Sequence, residues 1–240
     1  INAGTSVNIN TTTGAQNLNA AISGNVVNLN GTGSAIDINT TITGTTAINI
    51  AVTTGQVSGN AGSLLSTNTL TMNATTGGLG QNGSIITNAA NVSAVTTGLA
   101  VTQSDVDLTL TRVGVINVTN LAGNDVNVLA TGAGSVLSLG LVNSGGDVVV
   151  TSQAGTNGSL VLNNNISAGG LATDTFALTA DGIGTITRTG GVLSGNVLSL
   201  VSGSGDIGTS ANRIQTNVTT LTANTTGNVY INEANAVGIN

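Results

Sequence analysis

The 240-residue chain has no histidine, no cysteine and no proline, and its three basic residues, Arg112, Arg188 and Arg213, leave it without lysine. Nucleophilic catalysis by Ser-His, Cys-His or Ser-Lys arrangements is therefore excluded. Disulfides and thiolate metal sites are excluded with the cysteines, and Lys–Asn isopeptide crosslinks with the lysines. Proline ordinarily makes up about 5% of a globular chain, and it cannot join a β-ladder as a donor. Its absence implies that most backbone N–H groups are committed to such ladders. Nine acidic residues give a net charge of −6. With no basic cluster, no nucleic-acid partner is expected. No apolar run approaches the roughly 18 residues of a membrane-spanning helix, so no membrane insertion is expected.

Charged residues make up 5% and aromatics 1%, which leaves a neutral surface of Thr, Asn, Ser and Gly. Such low complexity often means disorder. Here, however, 39% of the residues are hydrophobic, and they alternate with polar ones, the period-2 signature of half-buried strands. The alternation appears at Val7/Ile9, Val27/Leu29, Ile36/Ile38, Ile48/Ile50 and Leu70/Met72. It continues at Val106/Leu108/Leu110, Val126/Val128, Leu137/Leu139, Val148/Val150, Leu160/Leu162, Phe176/Leu178, Leu198/Leu200 and Val229/Ile231. No segment shows a helical period.

The strands repeat as units. Val7-Asn8-Ile9-Asn10 returns as Val27-Asn28-Leu29-Asn30, and Leu18 to Gly24 returns as Ile38 to Gly44. Both copies follow at the same interval of about 20 residues, and fixed periods of this size mark solenoids. A looser repeat relates Leu70-Thr71-Met72, Leu79-Gly80 and Ile86 to Leu198-Ser199-Leu200, Ile207-Gly208 and Ile214, with a shortened copy at Leu178 and Ile183-Gly184. Gly24-Asn25, Gly123-Asn124, Gly146-Asp147, Gly195-Asn196 and Gly227-Asn228 are expected to open strands, their residues tolerating left-handed corners. An antiparallel sandwich also has strands with turns every ~10 residues. The one-coil repeat and the near absence of aromatics favour stacking instead. The expected fold is therefore all-β: a parallel β-helix (β-solenoid) of about 20 residues per coil, with residues 1–240 forming a single unit. Asn8 over Asn28 and Asn19 over Asn39 are expected to form side-chain amide ladders.

Candidate chemistry is sparse. Asp105 and Asp107 fall on one side of a strand if Val106, Leu108 and Leu110 point inward, and paired carboxylates can hydrolyse glycosides. A solvated outer face accounts for them more simply, and Tyr230 and Phe176 are the only aromatics that could support a sugar. Gly77-Gly78-Leu79-Gly80-Gln81-Asn82 resembles a calcium nonapeptide, but it occurs once and with Asn82 in place of Asp. A tight turn is the expected role. Asp147, Asp181 and Asp206 adjoin glycines and read as corner residues, and local pairing with Asp is expected for the arginines. Thr-x-Thr pairs at Thr41/Thr43, Thr67/Thr69, Thr109/Thr111 and Thr185/Thr187 raise ice binding, but they occupy no fixed coil position. Sequons at Asn10, Asn39, Asn117, Asn165, Asn217 and Asn224 are expected by chance in so Asn- and Thr-rich a chain. The chain is thus read as no enzyme, with no catalytic, cofactor-binding or metal residues and no cofactor.

The C-terminal part carries a family resemblance. Ser204-Gly205-Asp206-Ile207-Gly208-Thr209-Ser210-Ala211-Asn212-Arg213-Ile214-Gln215-Thr216, followed by Leu221 to Glu233, resembles the repeat regions of filamentous-haemagglutinin-like exoproteins and related autotransporter-type adhesins, which are very large secreted bacterial proteins. Such repeats often carry Pro where this chain has Arg213. The resemblance implies a right-handed parallel β-helix, export to the cell surface and a role in a stalk or fibre. The strand pattern runs from Ile1 to Ile239-Asn240 without a polar cap. From this a segment of a longer secreted chain or a filament subunit is expected, associating with itself end to end or laterally. An adhesin stalk recognising host or matrix glycan is the alternative, and a polysaccharide-active or ice-binding β-helix is weaker.

Overall fold

Alternate apolar side chains along extended segments need an interior to be buried in; in this chain the equivalent strand of the next repeat satisfies the backbone, and the inward side chains fill the inside of the coil. The computed structural model describes residues 1–97, 104–153 and 157–239; Asn240 lies outside the described residues. The chain is an all-β parallel solenoid whose described strands pair in parallel register, and it divides into two compact units. The first comprises Ile1–Thr111 with Ala122–Asn124, and the second Arg112–Leu121 with Asp125–Asn240.

In the first unit the strands Ser6–Thr11, Ile22–Gly31, Thr41–Val52, Leu64–Ala74 and Asn91–Thr96 pair in succession. Val7 faces Val27, Val27 faces Ile48, Ile48 faces Leu70 and Leu70 faces Val92. The coils lengthen along this series. Asn28 bonds Asn8 across 20 residues, Asn49 bonds Asn28 across 21 residues, and Asn88 bonds Ser66 across 22 residues. The period of about 20 residues read from the sequence is that of the first rung, and the following rungs of this unit run to 21 and 22 residues. One extra residue between Gly44 and Ala47 makes the strand Thr41–Val52 bulge against both neighbours, so the register shifts opposite Gly24 to Val26 on one side and between Gly44 and Ala47 on the other. A second face stacks Gln16–Leu18, Ile36–Ile38 and Val57–Gly59, continued by bridges from Val57 to Leu79 and from Leu79 to Val106.

In the second unit Val126–Ala130, Val148–Ser152, Phe176–Ala180, Val197–Val201, Thr220–Asn224 and Gly238–Ile239 form one column. Val126 faces Val148, and Val148 in turn faces Phe176. The first of these rungs has the common length, the Asp147 N–H donating to Asp125 across 22 residues. The second is longer, the Thr175 N–H donating to Asp147 across 28 residues. Part of the excess is a self-bonded excursion, in which the Leu171 N–H donates to Asp174 Oδ2 (2.8 Å) and the Asp174 N–H donates back to the Leu171 carbonyl.

The interior is the expected alternation. Val27, Leu29, Ile48, Leu70, Met72, Val106, Leu108, Val148, Leu178 and Leu200 are 0% exposed, and full burial of such a side chain contributes roughly 1.5–3 kcal/mol. Phe176 is the largest fully buried side chain, and Gly195 makes room for it: a Cβ there would lie 3.1 Å from Phe176 Cδ1. The last alternating pair departs from the pattern, with Val229 45% exposed and Ile231 half-buried.

The two copies of the looser repeat agree at their turns. Leu79 and Ile207 each form bridges to both neighbouring coils, and Gly80 (φ 98°) and Gly208 (φ 75°) follow in the left-handed region. They diverge by one residue afterwards, since Ile85 rather than Ile86 is the buried residue in the first copy while Ile214 is buried in the second. The shortened copy is displaced: Ile183 is 64% exposed, and Ile186 is the residue that bridges to Ile207. The glycines expected at left-handed corners are corrected as well. None of Gly24, Gly123, Gly146, Gly195 or Gly227 is among the positive-φ residues. Close approach accounts for glycine at two of them instead, Gly195 beside Phe176 and Gly227 beside Asp206, where a Cβ would lie 2.7 Å from Oδ1.

Candidate functional site

Inward Val106, Leu108 and Leu110 force Asp105 and Asp107 onto the outer side of strand Val106–Leu110 and its approach, as expected. Their Cα atoms lie roughly 6.6 Å apart, at two residues of strand rise. Asp105 accepts from Gln81 Nε2 (3.3 Å) at one oxygen and from Asn124 Nδ2 (3.2 Å) at the other. Asp107 is half-buried and accepts from Ser84, whose hydroxyl also lies 2.9 Å from that of Thr109. Burial pushes the Asp107 carboxyl above the usual carboxylate range; the Ser84 hydrogen bond opposes this and the charge of Asp105 adds to it. The backbone of Gly80 presses on this strand so closely that a Cβ there would lie 2.2 Å from the Asp107 carbonyl oxygen. The pair is thus held by neighbouring amide and hydroxyl donors, one carboxyl being easier to protonate than an ordinary aspartate.

The other residues singled out in the sequence are placed individually. Phe176 is interior and offers no platform, while Tyr230 lies under Arg213, its ring centre 5.9 Å from the guanidinium carbon. Among the described residues Arg188 and Arg213 make contacts other than the expected pairing with Asp. Arg188 Nε donates to the Gly191 carbonyl (2.7 Å), and Arg112 Nε is buried without a hydrogen-bond partner. The Gly77–Asn82 segment is a tight turn, with the Gly80 N–H donating to the Val57 carbonyl and the Gly83 N–H to that of Gly80. Among the described residues no three His, Cys, Asp or Glu side chains group as metal ligands.

Asp147 and Asp206 do act at corners, each accepting a backbone N–H from the next coil: Thr175 to Asp147 (2.6 Å) and Asn228 to Asp206 (2.7 Å). Asp181 also sits at a turn, its carbonyl accepting from Gly184. The Thr-x-Thr pairs build no array, since Thr41 and Thr43 face Leu64 and Ser66, and Thr109 faces Ile86.

Outward asparagines form the ladders expected of them. Asn28 Nδ2 donates to Asn8 Oδ1 (2.6 Å), Asn49 Nδ2 to Asn28 Oδ1 (2.8 Å) and Asn39 Nδ2 to Asn19 Oδ1 (2.8 Å), and Asn60 continues the last series onto Asn39. The sequon residue Asn39 is therefore occupied on both sides. Two features are not drawn from the sequence. Glu233 gathers donors from Thr216 Oγ1 (2.5 Å) and the Val218 N–H (3.2 Å). A polar groove of about 280 Å³ crosses three coils of the first unit at Gly33-Ser34, Thr54-Gly55-Gln56 and Thr76-Gly77. Its signal in the sequence is the Thr-Thr-Gly at 53–55 and 75–77. Glycine is required in this column because a Cβ on Gly55 would lie 1.9 Å from the Ser34 carbonyl oxygen, and one on Gly77 1.8 Å from that of Gly55.

Comparison with protein-family profiles, curated proteins and solved structures finds no match for the chain.

Proposed function

We propose that the chain is a non-catalytic, extracellular structural solenoid that builds a surface fibre or self-assembling filament by coil stacking. The observation that carries this reading is where the outward polar side chains point. Asn8, Asn28 and Asn49, and Asn19, Asn39 and Asn60, hydrogen-bond to the next coil rather than converging on a ligand-sized site. A surface spent on coil-to-coil bonds adds nearest-neighbour stability, the quantity that sets the cohesion of a stacked array. The resemblance of Ser204–Glu233 to haemagglutinin-like exoprotein repeats supports the same role and a cell-surface location. Cryo-electron microscopy of the native material tests it. Continuous filaments repeating the 240-residue chain are expected, whereas isolated single copies at all concentrations would overturn it.

A second reading, an adhesin stalk whose side binds host or matrix glycan, is favoured by the groove at Gly33, Thr54, Gly55, Gln56 and Thr76. Its hydroxyls, amide and bare backbone suit sugar hydroxyls. Glycan-array binding that is lost on Gln56→Leu would support this reading, and an array without signal would remove it.

A further inference from the structure

Asparagine is followed by glycine at Asn30-Gly31, Asn82-Gly83 and Asn157-Gly158. Glycine has no side chain to shield its main-chain nitrogen, so that nitrogen can reach the Cγ carbon of the preceding side-chain amide. Asparagine is counted among the thermolabile residues. The attack requires an amide that is free to turn and a glycine N–H that is not committed to an acceptor.

Two of the pairs are tied down. Asn30 lies in strand Ile22–Gly31, where its Nδ2 donates to Asn10 Oδ1 (2.7 Å) and its carbonyl accepts from Gln16 Nε2 (2.6 Å). Gly31 is in register with Thr11 on one side and Val52 on the other. Asn82 is exposed, but the Gly83 N–H donates to the Gly80 carbonyl (3.0 Å) and the Gly83 carbonyl accepts from the Gly59 N–H (2.9 Å).

The third pair is held on one side only. Asn157 is exposed, and its side chain has no hydrogen-bond partner among the described residues. Gly158 is buried, yet its N–H meets no acceptor among the described residues, and buried main-chain donors are rarely left so. Its carbonyl is committed. It accepts from the Asp181 N–H (3.1 Å), and Gly184 packs on it so closely that a Cβ there would lie 1.8 Å away. The same packing sets Gly77 on Gly55 and Gly205 on Gly184, and the residues before these glycines are Thr76, Thr54, Ser204 and Ile183. Among these stacked glycines, Gly158 alone follows an asparagine.

We propose that Asn157-Gly158 is a self-modifying site that converts to aspartate and isoaspartate in the folded chain. The Gly158 nitrogen bonds to Asn157 Cγ and loses its proton; the Cγ–Nδ2 bond breaks, and the amide group leaves with that proton as ammonia. Water then opens the five-membered imide at either carbonyl. Opening at Cγ gives aspartate, and opening at the main-chain carbonyl gives isoaspartate. The reaction needs only water and proceeds whether or not the chain assembles. Both products add one negative charge to the net −6. Isoaspartate also runs the main chain through an extra methylene, which displaces Gly158 from Gly184 and from the Asp181 N–H and loosens one coil from the next.

The test is to age the full chain at physiological temperature, at neutral and mildly alkaline pH, and to map its peptides by mass spectrometry. The mass gain of an NH2-to-OH exchange is expected at Asn157 at roughly ten times the rate at Asn82 or more, rising with pH. In urea the three pairs are expected to convert at similar rates, because the fold no longer holds two of them. Asn157→Thr installs the residue that precedes Gly55 and Gly77. It is expected to keep the circular dichroism spectrum of the parent and to lose both the fast conversion and its acidic shift in isoelectric focusing. Hydrogen exchange at the Asp181 amide is expected to be slow in the fresh chain and faster in the isoaspartate fraction. Equal rates at Asn157 and Asn82 in the folded chain, or fast conversion that persists in Asn157→Thr, would overturn the site. An Asp181 amide protected equally in both fractions would overturn the loosening of the coil.

Discussion

Replacing Asn28 by alanine interrupts an amide ladder at its centre. Asn28 donates to Asn8 Oδ1 at 2.6 Å and accepts from Asn49 Nδ2 at 2.8 Å, so the substitution removes two hydrogen bonds at once. A typical intramolecular hydrogen bond contributes about 0.5–1.5 kcal/mol net, which brackets the pair at about 1–3 kcal/mol. Asn28 and Asn49 are half-buried and Asn8 is exposed, so water rescues part of the loss and about 1–2 kcal/mol is expected. Urea unfolding of Asn28→Ala, Asn49→Ala and the double variant separates the pair from its surroundings. A coupling of about 0.5–1.5 kcal/mol is expected between neighbours that share a bond. Asn127→Ala is the control for the change in strand propensity, since Asn127 faces Val149 and has no amide opposite it there. It is expected to stay within about 0.5 kcal/mol of the parent, as exposed substitutions usually do. Zero coupling, or equal losses for Asn28→Ala and Asn127→Ala, would show that the ladder follows the fold without stabilising it, and the case for a cohesive stacking surface would lose its main support.

Three further outcomes follow from individual contacts. Gly77→Ala places a Cβ 1.8 Å from the Gly55 carbonyl oxygen and is expected to destabilise by more than about 2 kcal/mol; Gly62→Ala meets nothing within 4 Å and loses only the roughly 1–2 kcal/mol of a left-handed residue, a contrast that thermal melts can read. Phe176→Ala is expected to cost about 3–5 kcal/mol in urea unfolding, and a loss below about 1 kcal/mol would mean that the site collapses around the missing ring. Because the folded pKa of Asp107 is raised, its charged form opposes folding at pH values above the folded pKa, and this penalty fades as the pH falls toward the unfolded value of about 3.9. Asp107→Asn is therefore expected to raise the melting temperature at pH 7 and to leave it unchanged near pH 3, whereas a drop at pH 7 would indicate that the carboxylate is net stabilising.

Local chemistry explains which features were legible beforehand. Strand positions follow from period-2 burial, because a narrow coil admits side chains from only one face of each strand; Val27, Leu29, Ile48 and Leu70 are readable in this way without a structure. The ladders at Asn8 and Asn19 are readable because identical residues one coil apart must coincide once the register is known. The Asp105/Asp107 pair follows from the same alternation, but its environment does not, since Gln81 and Asn124 reach it from segments 24 and 19 residues away. The Arg–Asp pairing failed for a related reason. Arg188 turns to the Gly191 carbonyl and Arg213 to the Tyr230 ring, both supplied by the path of the chain rather than by charge alone.

The repeat of about 20 residues, the period-2 alternation and the scarcity of aromatics by themselves determined a parallel β-solenoid, because a unit that recurs at one-coil intervals places equivalent residues over one another, which the strands of an antiparallel sandwich do not require. The tertiary structure alone decided the length of each coil, from the 17 residues that separate Gln215 and Asn232 to the 28 residues that separate Asp147 and Thr175. It also decided which of Ile85 and Ile86 enters the core. One inserted residue reverses every following side chain in a strand, so such choices are set by how corners pack against the coils above and below, such as Gly77 on Gly55 and Gly195 on Phe176.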